Sequence, residues 1–187
     1  MNRIEKISIL LGDVALPLMG YFFWNWNLYF ILLFFMLDQL ARVVFLPWRM
    51  KLTELSAIEK RNQIIKAVFL FLSEVIIIHT VIFFQNPSIQ FTEEFSRFFY
   101  YKDMGIEQGY LLFPLVFFGE WMRINNELKL NIVGQKQKAI LAKSLKNAFV
   151  RISFFALILG VLSFVFIPEW LIVFPFLAVI TLLVFWN

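Results

Sequence analysis

Six apolar blocks, at 7–24, 28–48, 64–84, 110–130, 147–167 and 169–186, take up most of the chain. Each runs for about 18 to 21 residues, which as helix spans about 30 Å, the thickness of bilayer hydrocarbon. Only "NWN" separates the first two blocks and only "PE" the last two, so each pair is expected to form a tight helical hairpin. Trp24, Trp26 and Trp170 at those turns are expected at the depth where indole rings meet the membrane interface. The fold class that follows is all-α: one transmembrane domain over residues 1–187, a polytopic bundle of six helices.

Composition narrows the chemistry. Hydrophobic residues make up 61% of the chain and 25 residues are Phe, which points to an integral membrane protein. Cys is absent, which removes disulfides, thiolate nucleophiles, iron–sulfur clusters and Cys-based zinc sites, and a single His leaves no imidazole-rich metal site. The start "MNRIEKISILLGDVALPLMG" is basic like a signal peptide, but Asp13 and Pro17 interrupt its apolar part, so it reads as a retained first span.

Charge sets the expected orientation. All basic residues except Arg97 and Lys102 fall at the N-terminus, in or beside the second join, or in or beside the fourth. The third join instead holds Glu93, Glu94, Asp103 and Glu107. This alternation predicts both termini in the cytoplasm of a bacterial inner membrane. The net charge of +4 follows from the same asymmetry and suits anionic lipid; no stacking or groove-binding motif supports nucleic acid.

Three joins carry local signals. Ser56 and Glu59 form an S-x-x-E capping box, so the third long helix is expected to begin near Ala57. Asn131 and Gly134 read as a helix stop, and in "KQKAILAKSLKNAF" Ile140, Leu141, Leu145, Ala148 and Phe149 share a face, as in a helix lying on the membrane surface or running on into the fifth span. Phe91, Phe95, Phe98 and Phe99 mark a short interfacial helix, with Glu93 and Arg97 as its i, i+4 pair.

The residues that ask for explanation lie inside the spans. "FFMLDQLARVVF" places Asp38, Gln39 and Arg42 at hydrocarbon depth, and Asp13, Glu74, His79, Glu120, Arg123 and Arg151 join them. A charged side chain in a span costs at least about 2.5 to 3.5 kcal/mol against lipid, so these groups are expected to face inward and neutralise one another. Asp38 and Arg42, at i, i+4, and Glu120 and Arg123, at i, i+3, can pair along their own helices, and Gln39 offers an amide to a neighbouring helix. On this count Arg42, Arg123 and Arg151 snorkel toward the cytoplasm, and Glu74 is left over. The network then reads either as a structural clasp or as a proton path through Asp38 and Glu74. His79 is five residues from Glu74 and off its face; a lone histidine at that depth is expected to bond to a neighbour.

No H-E-x-x-H, E-x-x-H, S-x-x-K, G-x-S-x-G or glycine-rich phosphate loop occurs, so no catalytic residue, cofactor or metal ligand is assigned. A membrane-embedded enzyme with scattered residues is the third-ranked reading. First is a non-enzymatic accessory or scaffold subunit of a membrane assembly, in contact with lipids and with other subunits or copies of itself; second is an oligomeric proton-coupled transporter or channel.

The run "LLGDVALPLMGYFFWNWNLYFILLFFMLDQL", with Pro17, Trp26 and Asp38–Gln39, resembles a family of small six-span prokaryotic membrane proteins known as a domain of unknown function. The resemblance also takes in His79 and Arg151–Ile152, and it implies a fold without an activity. That family's usual acidic-amide pair is Glu-Asn after an aromatic residue, from which "FFMLDQ" departs.

Overall fold

The computed structural model describes residues 10–51, 53–100, 108–129 and 135–185, and no strand occurs among them. Arg3, Lys6, Lys102, Asp103, Glu107 and the Asn131–Gly134 stop lie outside the described residues. Seven α-helices follow in order: α1 Leu16–Phe23, α2 Leu28–Lys51, α3 Ala57–Gln85, α4 Phe91–Tyr100, α5 Gln108–Lys129, α6 Gln135–Leu162 and α7 Trp170–Phe185. Of these α2, α3 and the 141–162 part of α6 are long and apolar enough to cross a membrane, and 11–23 and α7 are shorter apolar helical segments. The chain is therefore a helical membrane protein.

Before α1 the chain makes a π-helical turn, Leu11–Ala15, in which the Leu16 N–H bonds back to the Leu11 carbonyl. Pro17 explains it: the ring has no N–H to give and would crowd the Asp13 carbonyl in a regular helix, so a wider turn relieves the conflict. The α1–α2 hairpin is tight, as expected. Trp24 and Trp26 N–H groups both donate to the Gly20 carbonyl, at 3.1 and 2.9 Å, and Asn25 takes the left-handed φ of 51° that Asn tolerates. Trp26 is 3% exposed, folded over Gly20 so closely that a Cβ there would overlap its ring.

Asn27 then starts α2, its Oδ1 accepting from the Phe30 N–H at 2.8 Å as an N-cap does. α2 is the strut of the molecule: it packs against α1, α3, α4, α5 and α7, and Leu28 to Phe35 are buried without interruption. A helix buried on every side needs no polar face, and this stretch has none. The most extensive packing elsewhere is α3 against α6. On α3, by contrast, Ile58, Ile65, Phe69, Leu72, Ile76 and Phe83 form an exposed apolar stripe at helical spacing, suited to lipid.

Helix boundaries follow the expected positions in some places and depart from them in others. α3 begins at Ala57 with both halves of the Ser56–Glu59 capping box in place, the Ser56 N–H reaching Glu59 Oε2 at 2.8 Å and the Glu59 N–H reaching Ser56 Oγ at 3.3 Å. α6 runs unbroken through the segment expected to rest on the membrane. Leu141 is buried against Leu46 and Met50, and Phe149, assigned to the same face, is 63% exposed. The last join is longer than "PE": α6 stops at Leu162 and α7 starts at Trp170, because Ile167 before Pro168 favours extended backbone and Ser163 turns its hydroxyl back on the Leu159 carbonyl. α4 forms where the Phe spacing put it, with Arg97 paired to Glu94 at 3.6 Å rather than to Glu93. α5 starts hard against it, since a Cβ on Gly109 would meet the Phe99 backbone.

Candidate functional site

The second half of α2 presents Asp38, Gln39, Arg42 and Arg49. Asp38 Oδ2 and Arg42 Nη2 meet at 2.7 Å along the helix, each side chain about one-fifth exposed. Gln39 does not bridge to another helix; its amide turns on its neighbour and reaches Asp38 Oδ2 at 3.4 Å.

Glu74 is not the carboxylate left over. Arg151 grips it across the α3–α6 interface, Nε donating to Oε1 at 2.7 Å and Nη2 to Oε2 at 3.1 Å, with both side chains 5% exposed. This fork-to-fork geometry is the strongest form of a carboxylate–guanidinium contact. Helix register explains why sequence reasoning misses it. Glu74 lies about 25 Å along α3 and Arg151 about 24 Å along α6, and the two helices run side by side in the same direction. Starting the fifth span at 147 places Arg151 too near the membrane surface; starting α6 at Gln135 places it level with Glu74.

Glu120 on α5 takes two arginines. Arg123 Nη1 approaches one oxygen at 3.4 Å and Arg49 Nη1 the other at 3.4 Å, with Arg49 and Glu120 both 4% exposed. Arg49 falls just past the apolar block 28–48 and so reads as a join residue, but α2 continues to Lys51 and carries it into the protein interior. At this end Arg42 Nε, Gln63 Oε1, Glu120 Oε1 and Asn147 Oδ1 are buried without a hydrogen bond. A cavity of about 40 Å³ lies beside Arg42 and Gln63, walled also by Gln39, Arg49, Glu74 and Ser144.

Asp13, in the π-helical turn, is the carboxylate without an arginine contact among the described residues. It is half-buried and within electrostatic reach of Asp38, Arg42, Arg123 and Arg151. Asp38 with Arg42, Glu74 with Arg151, and Glu120 with Arg123 and Arg49 thus form ion pairs, and Asp13, not Glu74, is the acid of the expected set without one among the described residues.

His79 stands apart, toward the other end of α3. Its Nδ1 is 2.8 Å from the Val75 carbonyl and its Nε2 3.0 Å from the Tyr29 hydroxyl. A carbonyl can only accept, so Nδ1 carries a proton, and Nε2 ties the ring to the Tyr29 hydroxyl, a bond to a neighbour as expected. Tyr29 and Phe91 enclose it at ring separations of 5.5 and 5.0 Å. Among the described residues no group of three or more His, Asp or Glu is placed to hold a metal ion.

Comparison with protein-family models, curated proteins and solved structures finds no match. The resemblance carried by Pro17, Trp26 and Asp38–Gln39 therefore adds no residue roles to this site.

Proposed function

We propose that this chain is a six-span, non-enzymatic protein of the bacterial inner membrane, both termini cytoplasmic, that serves as an accessory or scaffold subunit of a membrane assembly. The observation that carries the reading is the Glu74–Arg151 pair. A carboxylate held at both oxygens by a guanidinium, on the two helices that pack most extensively, fixes register; it is poorly suited to giving and taking protons through a cycle. Asp38–Arg42 and Glu120 with Arg49 and Arg123 extend the same clasp. The exposed stripe on α3 offers lipid or a neighbouring subunit an apolar face.

One group of observations favours a second reading, the proton-coupled transporter. Asp13 has no ion pair among the described residues, and the 40 Å³ cavity has room for a water that would find a donor at Arg42 and an acceptor at Gln63. The two readings divide on Asp38→Asn and Glu74→Gln in the full chain. Reduced yield or reduced co-purification of partners in mild detergent, with no proton-linked flux in liposomes from the native protein, is the expected result. Native flux that the substitutions abolish while the protein stays folded overturns the scaffold reading. The absence of native Cys allows the topology to be read by labelling single cysteines at Ser88, expected outside, and Lys60, expected inside.

A further inference from the structure

The end of the molecule opposite the arginines holds a cavity of about 220 Å³ between the start of α2, the end of α3 and α4. Its walls include Glu93, Glu94, Glu169, Gln85 and Tyr29, and no Lys, Arg or His is among the residues that line it. Arg97, which is not on the wall, pairs with Glu94 at 3.6 Å; Glu93 and Glu169 meet no cation among the described residues and favour a positively charged occupant. A second observation, independent of the charge, points the same way. Gln85 is 9% exposed, lines the cavity, and its carboxamide makes no hydrogen bond with any described residue. An amide carries one acceptor and two donors, and this one stands on the cavity wall for an occupant to use.

The remaining acceptors are also in place. Glu94 meets the Asn27 amide with one oxygen at 2.9 Å and Arg97 with the other at 3.6 Å, whereas Glu169 uses only one oxygen, on the Leu28 N–H at 3.2 Å. With His79 Nε2 as the acceptor of its proton, the Tyr29 hydroxyl keeps its oxygen free to accept. The Glu93 carboxylate makes no hydrogen bond or ion pair with any described residue. The carboxylates do not converge as metal ligands do, and the space equals about seven water volumes. A group with several N–H donors on a short stem fits this better than a bare ion.

We infer that this cavity binds a small primary-ammonium compound, the Gln85 carboxamide and the Tyr29 hydroxyl accepting its N–H groups while Glu93 and Glu169 balance its charge. The ammonium comes either from a free amine or from the headgroup of an aminophospholipid in the facing leaflet. The inference rests on the geometry of this end and not on the accessory reading.

The full chain in nanodiscs of phosphatidylglycerol, which carries no amine, is titrated with ethanolamine and with putrescine at fixed ionic strength, followed by calorimetry and Tm. Saturable binding with a rise in Tm is expected, with choline, which has no N–H, binding weakly. Gln85→Leu and Glu93→Gln are each expected to weaken ethanolamine by about tenfold, the loss of one hydrogen bond or ion contact to a charged group. In phosphatidylethanolamine nanodiscs, a raised starting Tm with no further response identifies the headgroup as the source; a persisting response identifies the free amine. No saturable response in the native chain, or a response that both variants leave unchanged, overturns the inference. If Gln85→Leu fails to fold, Glu93→Gln alone decides, since Glu93 is exposed and its loss disturbs no described contact.

Discussion

The two ends of the bundle treat their carboxylates differently. At one end Asp38, Glu74 and Glu120 each meet a guanidinium. At the other, Glu94 meets the Asn27 amide and a half-exposed Arg97, Glu169 meets a backbone N–H, and with Glu93 they face one cavity. Pairing acid with base makes a closed arrangement whose value lies in holding helices in place. Glu93 and Glu169, which meet no guanidinium among the described residues, keep their charge uncancelled, which is useful toward something that arrives from outside. The difference follows from position: the arginine end is deep among α3, α5 and α6, where an unmatched charge is costly, and the acidic end opens where α2 begins and α3 stops.

Arg151→Ala is the strongest way to break this contrast. It leaves Glu74 buried without its partner and is expected to cost about 3–5 kcal/mol, whereas Glu74→Leu with Arg151→Met is expected to recover most of that loss. Chemical unfolding in nanodiscs measures both; a loss below about 1 kcal/mol for Arg151→Ala would mean the pair behaves like an exposed one and the arginine end is not a clasp. Gly20→Ala comes next and tests the opposite end, where the new methyl group meets the Trp26 ring. Overpacking of this kind is expected to cost about 1–3 kcal/mol and to lower Tm without touching any charge. The smallest effect is that of Tyr29→Phe. It removes one hydroxyl from His79 and is expected to cost about 1 kcal/mol, while an arginine-end reporter such as a fluorophore beside Ser144 stays unchanged. A change at both ends would show that the two are not separable.

What could be read from the sequence depended on how far apart the interacting residues are. The capping box at Ser56 and Glu59, the Asp38–Arg42 pair and the α4 helix involve residues three or four apart, and spacing alone located them. Glu74 and Arg151 are 77 residues apart, and their meeting depends on where α6 begins, which a continuous amphipathic-to-apolar run conceals. Arg49 was hidden by the opposite error: the apolar block ends at Trp48, yet the helix runs on to Lys51. The acidic cavity involves Asn27, Gln85, Glu94 and Glu169 from four places in the chain, and no local pattern links them. The six-block pattern itself led to a helical membrane chain, with three helices of crossing length among the described residues.

Two small contacts on α3 have a mechanical meaning when taken as a pair. Glu74 pins that rod to α6, and five residues further on His79 pins it to α2 through Tyr29. A peg into each of two neighbours, little more than one turn apart, leaves the rod no direction in which to slide lengthwise without shearing both.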